Sequence, residues 1–430
     1  MNVVERHKSA TQQRSEPKKK VLFVSTYKTL CGIAAFTETL ESHLQDRYDI
    51  DIGVLDQYIL KSTNPKLITA GDKLIDDICS RAKDFDVVNL QWEPGLLGNT
   101  HRQILRRFRK LLRASPHMIV TVHTVVENPR FSTIQMIKAM RRGVTASIRF
   151  VNEMFIKYGQ KTYLLLNEAD RSDTFQVIVH TRRELRYFRQ VIGLKNVYDH
   201  PLGLIRKTWG DGLKSRAQEL RIKIENEFGS NKRFIGFFGF LSEYKGIITA
   251  IEALRFLPDD YVLLLFGGVH PSLHKDGQNV SPYLRKLLKI IHPSSDKAGK
   301  AKRSLFDRVQ FLGAPDDFDF AASIAVCDIN VFPYLEVGQS ASGPVSQSIE
   351  LGKRTIVSNN NMFSELEGYF PKRTYKVDIG NHLHLAQVIK RAMADPEPEK
   401  GGLQFTTWTL ADFYASVIEK AASIQVRQET

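Results

Sequence analysis

The sequence predicts an α/β protein built from two doubly wound domains, each around a parallel sheet. Three observations carry that expectation. Strand and helix signals alternate from Lys20 onward, the pattern that lays helices over both faces of a parallel sheet. The strand signals fall into two series separated by the charged, helix-patterned stretch 209–232. The length of 430 residues exceeds what a single hydrophobic core comfortably organises.

The first series opens at Val21-Leu-Phe-Val-Ser25, an apolar run of the kind that is buried on both faces, and turns through Thr26 to Gly32 into a helix starting near Ile33. Further strands are expected at Ile50 to Leu55, Val87 to Gln91, Met118 to Val122 and Val177 to Val179. The second series is Phe234 to Gly239, Tyr261 to Gly267, Val309 to Leu312, Asp328 to Phe332 and Thr355 to Ser358. The expected division is a disordered basic tail over 1–18, a first domain over 19–208, a second over 209–404 and a terminal helix over 405–425. No repeat of fixed period and no low-complexity tract interrupts it. Ligands of open parallel sheets bind beyond the carboxyl ends of the strands, so two such domains predict a cleft lined by strand-to-helix turns.

Composition narrows the function. An apolar fraction of 42% with 25% charged residues is that of a soluble globular chain. No apolar run approaches the roughly 20 residues that span a bilayer, and the N-terminus lacks the apolar stretch of a secretory signal. Cys31, Cys79 and Cys327 are widely spaced and have no partners at metal-ligand spacing, which fits a reducing cytoplasm. The 61 Lys and Arg against 47 Asp and Glu leave a net charge of +14 and favour an anionic partner: nucleic acid, lipid or a phosphorylated small molecule.

The basic excess is concentrated in two places. His101 to Arg113 contains no acid and places Ile104, Leu105, Phe108, Leu111 and Leu112 at helical spacing. Pro129 to Lys161 carries seven basic residues against the single Glu153. Such helices either pack an apolar face on the sheet with their charges solvated, or lie on an anionic membrane surface. Arg106, Arg107, Arg109, Lys110, Arg141 and Arg142 are the candidates for a membrane or acceptor side. Neither segment has the interleaved aromatic platforms or the recognition motif of a nucleic-acid binder, so no nucleic-acid partner is expected.

The most informative segment is Val331 to Lys353, which reads as strand, small-residue turn (Gln339-Ser-Ala-Ser-Gly343) and helix. That arrangement aims backbone N–H groups and the positive end of a helix dipole at one spot, a place for a phosphate. Other turns follow the remaining strands. They are Cys31-Gly-Ile-Ala-Ala-Phe-Thr37, Gln91-Trp-Glu-Pro-Gly-Leu-Leu-Gly98, His123-Thr-Val-Val-Glu-Asn-Pro129, Val179-His-Thr-Arg-Arg183, Phe238-Gly-Phe-Leu-Ser-Glu-Tyr-Lys-Gly246 and Phe266-Gly-Gly-Val-His-Pro271.

In this order and spacing the set resembles the retaining glycosyltransferases of family four, over roughly residues 19 to 425. The resemblance implies the GT-B fold, two facing Rossmann-like domains, with Phe405 to Tyr414 in a last helix that crosses back to the first domain. It implies transfer of a hexose-type sugar, with retention, from a nucleoside diphosphate sugar to a saccharide acceptor, with no metal or cofactor. The basic helices lie in the half that holds the acceptor in this family, which points to a lipid-linked or cell-surface polysaccharide precursor and a peripheral position at the inner face of the membrane.

Residue by residue, Lys245 matches the lysine placed on the diphosphate, where charge grows as the sugar bond breaks. The plain alternative is a surface lysine opening a helix at Gly246. His123 matches the histidine directed toward the transferred sugar; His180 and His200 have weaker claims, as cappers of turns, and His270 lies between. Gly32, Gly239, Gly267, Ser342, Gly343 and Gln347 complete the expected donor site.

The chain departs from the family at its signature pair of glutamates. Gln347 holds the second position, and Gln339, or Ser340 with shorter spacing, holds the first; Gln339 is still expected to hydrogen bond the sugar. Phe240 replaces the family's usual arginine, and Glu350, a helical turn further along, is expected at the surface. These departures leave a second possibility, a catalytically silent GT-B module that partners an active transferase. Asp317-Phe-Asp319 reads as the acidic first turn of a helix rather than a metal motif.

Overall fold

The computed structural model describes residues 17–115, 117–126, 133–155, 157–268, 282–292, 305–335, 341–398 and 402–423. In chain order the first half runs β1 (Lys20–Ser25), α1 (Gly32–Leu44), β2 (Asp49–Val54), α2 (Gln57–Leu60), α3 (Pro65–Arg81), β3 (Val87–Trp92), α4 (His101–Leu112), β4 (Met118–Val122), α5 (Thr133–Arg141), α6 (Val144–Phe155), α7 (Tyr158–Ala169), β5 (Gln176–Val179), α8 (Arg182–Arg186) and β6 (Val197–Asp199). Helix α9 (Gly212–Phe228) leads into β7 (Arg233–Phe238), α10 (Ile247–Ala253), β8 (Tyr261–Phe266), α11 (Pro282–Ile291), β9 (Val309–Phe311), α12 (Asp317–Val326), β10 (Ile329–Phe332), α13 (Gly343–Glu350), β11 (Arg354–Ser358), α14 (Leu366–Tyr369), β12 (Thr374–Val377), α15 (His382–Ala394) and α16 (Thr407–Ser423).

The strands form two six-stranded sheets in which every paired register is parallel. The first has the order β2-β1-β3-β4-β5-β6 and reverses direction between β1 and β3; the second, β12-β11-β10-β7-β8-β9, reverses between β10 and β7. Such switch points open the crevices in which α/β proteins bind ligands. Two edge strands, β6 and β12, were not expected from the sequence: Val-Tyr-Asp and Thr-Tyr-Lys-Val are short, and the burial of both is incomplete.

Successive residues of a strand serve opposite faces. Leu22 and Val24 of β1 join a core with Trp92, Ile104 and Phe108, whereas Val21 and Phe23 join one with Phe36, Leu40, Leu410, Tyr414 and Ile418. The last group shows that α16, at the end of the chain, covers a face of the first sheet. Arg47 with Asp412, Lys19 with Glu419, and a bond from Tyr48 Oη to Glu419 at 3.0 Å hold it there.

The carboxyl ends of the two sheets face each other. Glu365, beyond the end of β11, accepts from the backbone N–H of Arg183 at the start of α8 (2.7 Å) and pairs with Arg186. Tyr369 donates to Asp199 at the end of β6 (2.5 Å). This is the GT-B arrangement of two Rossmann-like domains.

The basic helix α4 corrects one expectation. Arg107 is buried, with its guanidinium donating to Asp72, Leu60 O and Leu97 O, so it braces α4 against α3 and cannot touch a membrane. Such pairing offsets the cost of burying the charge. Arg106 pairs with Asp72 and Lys110 with Asp76, also on α3, while Arg109 stays exposed without an ion pair among the described residues. Among the described residues no helix is long and apolar enough to cross a membrane.

Candidate functional site

The switch point of the second sheet assembles around Lys245. The chain leaves β7 through Gly239, whose φ is +107° and whose missing Cβ would lie 2.9 Å from Lys245 Nζ. It then folds into a short 3-10 turn, Glu243–Lys245, closed by Gly246. Gly246 has φ +71°, and a Cβ there would meet Pro333 O at 1.9 Å, so only glycine lets this turn seat against the end of β10. Gly267, beyond β8, approaches Gly239 O so closely that its Cβ would stand 1.9 Å from that oxygen.

This packing drives the lysine across the sheet. Lys245 Nζ donates to Tyr334 Oη at 2.6 Å and lies 4.3 Å from the centre of that ring. Tyr334, fully buried just beyond β10, has its hydroxyl 3.3 Å from Ser342 Oγ, and Ser342 is the residue from which α13 starts. Lys245 is 7% exposed, and among the described residues it has no carboxylate partner. Burial lowers its pKa, because the charged form has left water behind. Two tyrosine faces, Tyr334 and Tyr244, take the place of a counter-ion. The arrangement holds a desolvated cation ready for an anion at the switch point.

Other expected donor residues take different positions. Gly32 opens α1 with nothing within 4 Å of where its Cβ would be, so that turn is open. Gly343, the first residue of α13, would clash at 2.6 Å with Leu204, beyond β6, if it carried a Cβ. Gln347 donates through its amide to Leu204 O at 3.3 Å, joining α13 to the segment that follows β6. Glu350 is not at the surface: it accepts from the backbone and hydroxyl of Thr407, each at 2.7 Å, and so caps the start of α16. Gln339 and His270 lie outside the described residues. Asp316, one residue before the expected acidic turn, caps α12 through the N–H of Asp319, while Asp317 pairs with Arg206 and Asp319 with Arg216.

The edge of the first sheet is chemically different. His123, just beyond β4, has Nε2 2.8 Å from the Gln91 side chain and Nδ1 3.3 Å from Nε2 of His180. His180 Nδ1 in turn lies 3.2 Å from His200 O. Burial is the main cause that holds all three rings neutral: it lowers the pKa of His123 far below the usual histidine range and brings His180 and His200 down to about 4. Phe36 meets the rings of both His123 and His180 edge-on.

Below them Gln91 contacts Asn89 (2.5 Å), Asn89 contacts Thr121 (3.4 Å), and Thr121 contacts Tyr414 Oη (2.8 Å). Two neutral rings carry only two N–H groups for three contacts, so the middle contact gains a proton only if Gln91 offers its amide N–H to His123. Turning the carboxamides of Asn89 and Gln91 together gives every link one donor, running from Tyr414 through Thr121, Asn89, Gln91, His123 and His180 to His200 O. His123 is thereby the Nδ1–H tautomer, and both of its nitrogens serve the protein rather than the cleft.

Beside His123, at the first sheet's own switch point, is a residue that the sequence reading did not single out. Glu93 follows β3 directly and accepts from Thr124 Oγ1 at 2.5 Å. Its pKa is raised by burial, an effect partly offset by bonds from Thr124 and Gly95 N–H and by the charge of Lys61, which makes no direct ion pair with it among the described residues. Tyr334 was missed in the same way. The available signal for both was their position immediately past the carboxyl end of a switch-point strand.

No protein-family model matches the sequence, and no curated protein matches it. Solved structures do. Anabaena Alr3699/HepE, in complex with UDP, superposes with a TM-score of 0.60 at 17% identity, covering 93% of this chain and 99% of that one. A glycosyltransferase from Rickettsia africae gives 0.59 at 14% identity, over 95% and 100%. Sucrose-phosphate synthase from Thermosynechococcus elongatus gives 0.57 at 15% identity, over 94% and 93%. The chain therefore shares with these proteins, over nearly its whole described length, the two-domain GT-B fold.

Proposed function

We propose that this protein is a retaining glycosyltransferase that moves a hexose-type sugar from a nucleoside diphosphate sugar to a saccharide acceptor. The observation that carries the reading is Lys245, a buried cation at the second sheet's switch point with no carboxylate partner among the described residues. When the bond from the anomeric carbon to the diphosphate oxygen breaks, the leaving group gains charge, and a fixed desolvated cation stabilises it more than it stabilises the donor. The N-terminus of α13, at Ser342 and Gly343, adds backbone donors to the same region. Gly239 and Gly267 keep the floor of this site low, and Gly32 leaves the facing turn open. With retention, the acceptor hydroxyl arrives on the face from which the diphosphate departs, and the diphosphate oxygens are placed to take its proton.

HepE has been solved with UDP-glucose as well as with UDP, which makes UDP-glucose the first donor to try. His123 would support the sugar pocket through its fixed ring, and Gln339 would meet sugar hydroxyls. The acceptor would be a lipid-linked or cell-surface polysaccharide precursor, met by a chain seated peripherally at the inner face of the membrane.

One observation favours a silent GT-B module that partners an active transferase: Gln347, at a position where the family has a carboxylate, is engaged with Leu204 O. A single experiment separates the two. Thermal unfolding is followed with UDP, GDP, ADP and UDP-glucose, for the wild type and Lys245→Ala. A ligand at about 100 times its dissociation constant adds roughly 2.7 kcal/mol of stability. Stabilisation by one nucleotide class, lost in Lys245→Ala, is expected; no shift with any of them overturns the donor reading in favour of the silent module.

A further inference from the structure

Helices α5 and α6 form a hairpin inserted between β4 and α7, so it leaves and re-enters the first domain at the edge that carries His123. The two helices pack on each other, yet no described side chain of either belongs to a hydrophobic core found among the described residues. Six of their apolar residues instead face water. Ile134, Ile137 and Met140 recur at a spacing of three along α5, with Ile134 65% and Met140 60% exposed. Val144, Ile148 and Val151 recur at four and three along α6, with Val144 75% and Ile148 56% exposed. These are single stripes on each helix, and a contiguous exposed apolar surface of this kind marks an interaction site.

The charge around the stripes selects the partner. Lys138, Arg141 and Arg142 are exposed and make no ion pair with a carboxylate among the described residues, and Glu153 is the hairpin's only acid. That is the opposite of α4, where Arg106, Arg107 and Lys110 are matched by acids of α3. A groove lined by Val126, Tyr163, Leu164 and Val191, with the polar Gln160 and Asn167, lies along α7, the helix that follows the hairpin. A water-exposed apolar stripe flanked by unpaired cations is the chemistry that enters the headgroup region of an anionic bilayer.

We propose that the α5–α6 hairpin seats this protein on an anionic membrane surface, with Ile134, Ile137, Met140, Val144, Ile148 and Val151 entering the interface and Lys138, Arg141 and Arg142 on the headgroups. The consequence that a membrane-borne acceptor meets the first sheet's edge rests on the transferase reading; the docking itself does not.

Co-sedimentation with vesicles of phosphatidylcholine alone and with about one third phosphatidylglycerol tests it. The wild type is expected to bind the anionic vesicles and to bind the neutral ones far less. With each cation contributing about fivefold, K138Q/R141Q/R142Q should lower anionic partitioning roughly 100-fold or more. I137S/M140S/I148S should weaken binding to both lipids, and Arg109→Gln on α4 should leave it unchanged. The proposal is overturned if the wild type stays in the supernatant, if either triple variant binds as the wild type does, or if Arg109→Gln loses as much as the hairpin variants. A concentration-dependent dimer that only the apolar variant disperses, with vesicle binding unaltered, also overturns it and assigns the stripes to a second copy. The thermal shift with UDP, measured on each variant, reports folding and the donor site separately, so docking and transfer can fail independently.

Discussion

The two sheets end in opposite chemistries. At the second sheet's switch point a lysine stays buried without a counter-ion among the described residues, its ammonium resting on two tyrosine rings. Along the carboxyl edge of the first sheet, beyond β4, β5 and β6, three histidines are held neutral by burial, with a half-buried carboxylate beside His123. A buried charge without a partner is costly, so a site retains one where a ligand supplies the missing charge. An edge whose rings are neutral and already bonded within the protein carries no strong field and leaves Glu93 as the acceptor for an uncharged, hydroxyl-rich partner. The fold is symmetric in outline, and its division of labour lies in what each edge desolvates.

The largest effect expected from this contrast is on stability in acid. The folded-state pKa values of His180 and His200, about 4, lie below the value of about 6.5 that they regain on unfolding. Between those limits the unfolded chain binds more protons, so stability is level above about pH 6.5 and falls as the pH drops toward 4. The two groups together contribute a slope of up to about 2.7 kcal/mol per pH unit. Glu93 and Glu350, raised by burial, act with the opposite sign and blunt the total. The comparison with His180→Asn isolates one histidine: urea unfolding at a series of pH values should show its slope reduced by about 1.4 kcal/mol per unit. Equal slopes for the two proteins would mean that the histidine chain is not held neutral.

Much of this architecture was legible in the sequence, and the part that was not has a physical reason. Strands buried on both faces, such as Met118–Val122 and Tyr261–Phe266, announce themselves as continuous apolar runs. The edge strands Val197–Asp199 and Thr374–Val377 are short and mixed, so nothing in their composition separates them from loop. Lys245 was singled out by its resemblance to the family's diphosphate lysine, but its burial on Tyr334 required the two sides of a switch point to be brought together. The same holds for Arg107: a basic helix looks alike whether its charges meet lipid or the acids of a neighbouring helix, and only the position of Asp72 decides. The chain from Tyr414 to His200 spans residues 89 to 414 and follows no local period.

A smaller effect tests the cationic edge itself. Replacing Lys245 with methionine keeps most of the side-chain volume and removes a charge whose burial costs free energy. The unliganded protein should therefore gain about 1–2 kcal/mol in stability at neutral pH. Burial depresses the lysine's pKa below 10.5, so the wild type should recover part of that difference as the pH rises toward that value and the group sheds its proton. A Lys245→Met variant less stable than the wild type across this range would show that the ammonium is compensated in the unliganded fold, and the contrast between the edges would lose its basis.

The last test concerns Glu93, which distinguishes the neutral edge from a merely apolar one. Glu93→Gln keeps the shape and the bond from Thr124 but removes the carboxylate's stronger acceptance of hydrogen bonds. If the first sheet's edge holds a polyhydroxyl acceptor through this residue, kcat/KM for the acceptor should fall by about tenfold, or about 1.4 kcal/mol. The thermal shift with the nucleotide should not change, because Lys245 and Tyr334 belong to the other sheet. A loss of nucleotide binding in Glu93→Gln would instead mean that the two edges act on one ligand. An unaltered acceptor dependence would leave Glu93 with Thr124 and Gly95 as its whole role, the bracing of the turns after β3 and β4.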